Sequence, residues 1–466
     1  MDNDKTQQPS PDIYSDNTFV EGNDKKKVIS LIVGAVVVFL IIIFAFLFIF
    51  SQLKSKTDSK VELTYWGIWE DPQVMAEVIA DFNKIHPNTK INFVQQDIKN
   101  LGKYIDRIES QNPDLYRFHV SWVRQLDSRR MLLPLPTSVV KASEIDTKYY
   151  DVIKNDLKIR GAYFGIPIQI DTLALFINTK IFKAAGISTY PTTWEDFVYR
   201  VDIDTDNEFK KSLASLTVKD GDVIRTSSIA LGTVDNISHA TDILSLILIQ
   251  NGVDLANING ERATSALSYY TSFAKGDSRV WDDSLDNSKL AFAKENLAMY
   301  FGYSWDILEI KALNPNIEFA VVPVPHIPKT DTTIASYWVE GVSSKTKHPK
   351  EAFEFLQFLT QRATLEKMFA TQSRLRGFGE LYPRLDMANL LKDNALLYPF
   401  VEQAKSARST FFSSDTHDDS DTKTLNDYLS GAIRSVVVGN ISPESAIETV
   451  GKGVASVIEK YDTIKK

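Results

Sequence analysis

The chain contains no cysteine. Disulfides, thiol nucleophiles and thiolate metal sites are therefore excluded, as is a lipid anchor built on a cysteine, and the redox compartment stays unread. Histidine is scarce too: the six present never fall in the His-Glu-x-x-His spacing that a zinc hydrolase needs. Gly302-Tyr303-Ser304-Trp305-Asp306 opens like a nucleophile elbow but lacks the second glycine, and Gly451-Lys452-Gly453 is neither a phosphate loop nor a dinucleotide fingerprint. Asp415, His417, Asp418, Asp419 and Asp421 lack the glycine and terminal glutamate of an EF-hand and read as a solvated loop. The net charge is −8, and Lys and Arg are scattered singly, which argues against a nucleic-acid surface. No catalytic constellation, no metal site and no cofactor motif emerges.

What is present is one uninterrupted apolar run, Val28 to Phe50, without a single charge. A bilayer-spanning helix takes roughly 20 residues, so the run is long enough to cross. A cleaved secretory signal would have an apolar stretch of about 7–15 residues ending in small residues. This one is longer and ends Phe48-Ile49-Phe50-Ser51-Gln52. Lysines flank both ends and orient the span only weakly, but the flanks differ in size: a polar tail, 1–27, too poor in apolar residues to fold, and a far longer remainder. The expectation is a cytoplasmic tail over 1–27, a transmembrane anchor over 28–50, a linker over 51–60 and a large extracytoplasmic body over 61–466.

That body exceeds what one hydrophobic core usually serves, so two domains are expected. Val61, Leu63 and Tyr65 alternate as a strand. Asp71 can cap a helix that Pro72 begins and that Val74, Val78, Phe82 and Ile85 continue at helical spacing. Lys90 to Val94 reads as the next strand, Ala352, Phe355, Leu356 and Leu359 as a helical stripe, and Ile447, Val450, Val454 and Ile458 as another behind Ser442-Pro443. Strands alternating with helices predict an α/β fold with parallel sheets and right-handed crossovers.

Several segments resemble, in the same order, the extracellular solute-binding proteins of carbohydrate importers, the maltose-binding-protein-like family. They are Leu63-Thr64-Tyr65-Trp66-Gly67-Ile68-Trp69-Glu70, Asn112-Pro113-Asp114-Leu115, Tyr163 to Pro167 with Asp171 to Asn178, Pro191-Thr192-Thr193-Trp194-Glu195-Asp196-Phe197, Met299 to Trp305, Val321 to Pro325, and Gly341-Val342-Ser343 through Phe353. The resemblance spans about Val61 to Tyr461. It implies a two-lobed periplasmic-binding-protein-like fold of type II behind one transmembrane helix. One lobe would be about 61–171 and 333–381, the other about 172–332 and 382–466. Two departures stand out: a membrane span replaces the lipid-bearing cysteine common in relatives, and the second cleft loop reads Phe118-His119-Val120-Ser121-Trp122.

Ligands of open α/β sheets bind beyond the carboxyl ends of strands. Trp66, Trp69 and Glu70 follow the first strand, where the indoles could lie against a sugar ring while the carboxylate accepts from hydroxyls. His119 and Trp122 follow the next cleft strand. The resemblance places Asp171 at the first crossover, Trp305 as a stacking aromatic from the second lobe, Trp338 at the second crossing and Arg374 near the third. Each has a plainer reading: tryptophans more often pack, Asp171 could cap a helix or pair with a lysine, and Arg374 could only bridge the domains. Trp194 reads as structural.

The expected function is a membrane-anchored substrate-binding component of an ABC importer for sugars or oligosaccharides, docking on permease subunits, with no enzyme activity. An ectodomain that senses a ligand for a membrane receptor or kinase is the alternative from another class. A carbohydrate-active enzyme is a third, without an evident acid pair.

Overall fold

The computed structural model describes residues 24–55, 60–97, 102–138, 141–199, 206–277, 279–413, 416 and 421–463. Most of the expected tail, linker residues 56–59 and Asp415, His417, Asp418 and Asp419 lie outside them. Two units are present, Met1–Lys60 and Val61–Lys466. The first contains the helix Asp24–Ser55, whose segment Ile29–Ile49 has a mean hydropathy of 3.4 and is long and apolar enough to cross a membrane.

Among the described residues, the second unit is built on fourteen strands. In chain order they are β1 (Val61–Gly67), β2 (Thr89–Gln95), β3 (Leu115–His119), β4 (Lys158–Ile159), β5 (Ala162–Tyr163), β6 (Asp171–Thr172) and β7 (Ala174–Asn178). Then come β8 (Val218–Asp220), β9 (Val223–Ile229), β10 (Leu297–Gly302), β11 (Phe319–Val322), β12 (Ile334–Ser336), β13 (Trp338–Val342) and β14 (Arg408–Ser409). One sheet has the order β13-β3-β1-β2, a second β11-β7-β10-β9-β8, and a three-stranded sheet, β14-β12-β6, contains β6 and β12, which lead directly into β7 and β13 of the other two.

Local chemistry explains the elements. Asp71 accepts the amide of Gln73 at 2.7 Å and Pro72 starts the helix Pro72–Ile85, which buries Val74, Val78 and Phe82. Ile85, the last residue of that stripe, faces solvent, because the helix ends there. Ala352, Phe355, Leu356 and Leu359 are all enclosed on the helix Pro349–Leu359. Ser442 accepts the Ser445 amide at 3.2 Å ahead of the helix Pro443–Thr463, whose Ile447, Val450 and Val454 are buried.

The sheets are mixed rather than parallel. β1 runs parallel to β2 and β3, and β9 to β10, but β13 is antiparallel to β3, and β7 is antiparallel to both β10 and β11. The reason is connectivity. β7 follows β6 after one residue and β13 follows β12 after one, so each enters its sheet straight from the linking sheet, at the end where the parallel strands leave.

Candidate ligand site

Aromatic side chains gather at the carboxyl end of the first sheet. Trp69, in the turn after β1, is 38% exposed and meets the edge of Trp338 at 5.8 Å. Trp338, at the start of antiparallel β13, packs at 5.4 Å on Trp122, just past β3, and at 5.1 Å on His119, the last residue of β3. Trp122 touches Tyr104 at 5.6 Å, and Tyr104 touches Trp66 at 6.0 Å. Five of the predicted residues thus form one cluster. Within it only Trp69 is open: Trp66, His119, Trp122 and Trp338 are buried. The Trp122 indole donates to the Thr416 carbonyl at 2.8 Å, which closes off its polar edge.

Glu70 points inward instead. Its carboxylate lies 2.7 Å from Arg117 Nε, which is also 2.6 Å from Glu340, while Arg117 Nη1 is 3.4 Å from Glu380. The Tyr65 hydroxyl adds contacts at 2.7 Å to Glu70 and 2.8 Å to Glu340. Three carboxylates share one guanidinium in a buried setting, so burial and the charge of Glu70 raise the pKa of Glu340 although Arg117 opposes them. Glu70 also accepts the Ile68 amide at 2.8 Å, which fixes the turn carrying Trp69. Gly67 is required in that turn, since a Cβ there would stand 2.5 Å from the Phe93 ring and 2.7 Å from Glu70.

A second cluster stands at the carboxyl end of β10. Trp305, half-buried, stacks on Tyr303 at 4.3 Å and 15°, and His239 approaches Tyr303 at 5.0 Å and Trp305 at 6.2 Å. His239 Nε2 is 2.8 Å from Asp306, and the Tyr303 hydroxyl donates to Asp242 at 3.0 Å. Burial would raise the pKa of Asp306, but His239 and Lys289 pull it well below the usual carboxylate range.

Asp171 sits on β6 and accepts the amide of Ser304 at 3.0 Å, the Ser304 hydroxyl, and the Thr172 amide at 2.8 Å. Ser304 is the first residue of the helix Ser304–Leu313, so this carboxylate does hold a helix start, the plainer role weighed for it. Burial pushes its pKa up to about 8 against those three donors. Ser336, its partner across β12 and β6, bonds His119 Nε2 at 3.0 Å. His119 near the Trp338 cluster and Ser304 beside Trp305 are thus each held by one of two register partners of the linking sheet, Ser336 and Asp171. Arg374 stands elsewhere, exposed on the helix Arg362–Arg376 and 3.7 Å from Glu77. Trp194 is buried, donating to Gln250 at 2.8 Å.

A cavity of about 1270 Å³ has none of the nine predicted residues in its walls. It adjoins them through Ser121, which lies between His119 and Trp122 and bonds the former at 2.8 Å. Sequence reasoning missed Arg117, Tyr303 and His239. A charge inside the otherwise apolar strand Leu115-Tyr116-Arg117-Phe118 was a usable sign of the first; nothing local marks His239. No group of His, Asp and Glu able to hold a metal is found among the described residues.

Mixed sheets joined by a short linking sheet, with aromatic clusters at their carboxyl ends, define a two-lobed type II binding-protein fold. Residues 68–364 match the bacterial extracellular solute-binding protein family, and the chain belongs to it. A multiple sugar-binding protein of Streptococcus mutans is 23% identical over 327 residues, covering 68% of this chain and 76% of its own. The sugar-binding protein MalE of Xanthomonas citri superposes with a TM-score of 0.69 at 18% identity, over 87% of this chain and 99% of its own. A solute-binding protein of Thermotoga lettingae bound to α-D-tagatose gives 0.64 at 18%, over 85% and 100%.

Proposed function

We propose that this chain is the substrate-binding component of an ABC importer for sugars or oligosaccharides. The observation that carries the reading is the pair of half-open indoles, Trp69 and Trp305, each at the carboxyl end of its own sheet and tied through the linking sheet. Aromatic faces suit the apolar faces of sugar rings. The sugar-binding protein of Streptococcus mutans and the tagatose-bound protein of Thermotoga lettingae support the same substrate class.

In this reading the lobes built on the two sheets bend about β6, β12 and β14. Ligand bridging Trp69 and Trp305 stabilises the closed arrangement by its differential affinity for it, and the closed form docks on permease subunits. Trp66, Trp122, His119, Glu70 and Trp338 hold the first platform, Asp171 sets the second through Ser304, and Arg374 serves the rim. The helix containing Ile29–Ile49 anchors the protein in the cell membrane as a single pass, with the large unit outside. No catalytic role is proposed.

A thermal-shift screen of the detergent-solubilised chain over mono- and oligosaccharides tests this. A binder of the folded state raises the melting temperature by mass action. A panel of sugars that all leave it unchanged, followed by absence of heat in titration calorimetry, would sink the reading.

A further inference from the structure

The cavity bordered by Ser121 is lined by the segment after β3 and the β4–β5 hairpin, by the end of the helix Ala240–Gln250 with Val253 to Ala256 after it, and by β14 with Phe411. Its volume, about 1270 Å³, exceeds the roughly 300–1,000 Å³ usual for a small-molecule pocket, so it has room for an extended ligand.

Its charge runs against the chain as a whole. The protein carries −8, yet these walls bear five cations and three carboxylates. The carboxylates are all engaged. Asp127 binds Arg160 at 2.9 Å, Asp156 accepts the Tyr337 hydroxyl at 2.7 Å, and Asp254 accepts the Ala256 amide at 3.0 Å. Of the cations, Arg160 holds Asp127 and Lys158 lies 3.8 Å from Asp146, but the other three are not so paired. Among the described residues, Arg124, Arg130 and Arg408 have no carboxylate within ion-pair distance, and Arg124 instead lies over the Phe411 ring at 5.9 Å. All three are exposed to the cavity or its mouth.

We infer that this cavity takes the anionic end of an oligosaccharide, with the guanidinium groups of Arg124, Arg130 and Arg408 gripping its acidic groups. The inference rests on the proposed sugar-binding function and narrows its substrate class. A guanidinium presents a planar fork that matches carboxylate, sulfate or phosphate in bidentate fashion. Phe164, Phe411 and Tyr461 in the same walls offer rings for the sugar faces between charges. Because Ser121 connects cavity and aromatic cluster, one chain of sugars can reach both.

Titration calorimetry on the full-length chain in detergent tests this with trigalacturonate, its neutral methyl ester, a sulfated disaccharide, a sugar phosphate and a panel of neutral oligosaccharides. At least one anionic probe should bind tenfold or more tighter than its neutral counterpart. That preference should shrink as salt rises from low to near-physiological and above. Arg124→Gln and Arg408→Gln should each weaken the anionic probe roughly tenfold, while Lys350→Gln, exposed on another helix, leaves it unchanged. Which anionic arm binds distinguishes uronate from sulfate or phosphate. Neutral sugars binding as tightly as anionic ones, or arginine variants that bind the anionic probe normally, would overturn the inference and leave the sugar-binding reading standing. No binding across the entire panel would overturn both.

Discussion

Ser336 and Asp171 are register partners in the antiparallel pairing of β12 with β6. One holds the His119 ring and the other holds Ser304, so the linking sheet is where the supports of the two aromatic clusters meet. Under the proposed hinge motion, a change of angle there would reorient Trp338 and Trp305 together.

The exposed and buried tryptophans should separate cleanly. Trp69→Ala and Trp305→Ala are expected to melt almost normally without ligand but to lose sugar affinity roughly ten- to hundredfold, the equivalent of about 1.5–3 kcal/mol for an aromatic face. Trp122→Ala and Trp338→Ala should instead cost about 3–5 kcal/mol of stability, because their rings are enclosed. Binding unchanged in both Trp69→Ala and Trp305→Ala, measured by calorimetry, removes the platforms from the site.

Bending predicts a distance change. Lys84 lies on the helix packed against the first sheet and Lys219 on β8 at the edge of the second. With each replaced by cysteine in this naturally cysteine-free chain and spin-labelled, their separation should shorten on adding the bound sugar, and the radius of gyration should fall. A sugar that binds while both observables stay fixed contradicts hinge closure.

Asp171 gives stability a pH dependence. Its folded pKa of about 8 exceeds the ordinary 3.8, so the native state holds the proton more tightly than the unfolded chain. Its contribution is complete below about pH 4 and falls as pH rises towards about 8. Asp171→Asn should flatten that slope in urea unfolding measured between pH 4 and 8. Ser304→Ala, which removes a donor to the charged form, should steepen it. An identical slope in the wild type and Asp171→Asn contradicts the assignment.

Arg117 is the cation of a buried four-residue cluster. Arg117→Met leaves Glu70, Glu340 and Glu380 without their shared partner and should cost about 3–5 kcal/mol at neutral pH. Lowering the pH should recover part of the loss, since protonated carboxyls need no counter-charge. A penalty below about 1 kcal/mol in denaturant titration would mean that the cluster is solvated.

Anchoring is tested on cells. The full-length protein should stay with membranes through high-salt and carbonate washes, and protease added outside should remove the large unit. A soluble mature form beginning near Lys54 would restore the cleaved-signal alternative.

Legibility in the sequence followed the range of the interactions. Val74, Val78 and Phe82 were readable because one-sided burial on a helix repeats locally, and Asp71 because a cap acts two residues away. The positions of Trp69 and Trp305 after strands were readable for the same reason. The enclosure of Trp122 was not, as the group that closes off its polar edge, Thr416, is 294 residues away. Glu70 looked like a ligand group because its loop faces a cleft, yet its partner Arg117 lies on a neighbouring strand. The antiparallel entry of β7 and β13 depends on how the chain returns from the linking sheet, which no local pattern encodes.

The pairing of Arg117 with Glu340 spans 223 residues and has a bearing on biogenesis. While the chain is being made, β3 is complete long before β13 exists, so the first sheet waits with an open edge. An open edge of apolar residues invites pairing with other chains, and charged side chains on it are a deterrent. Before β13 arrives, Arg117 and Glu70, both already made, would put such charge beside that edge. When β13 docks, Glu340 joins the same guanidinium, and what would guard the nascent chain becomes an interior strut of the mature one.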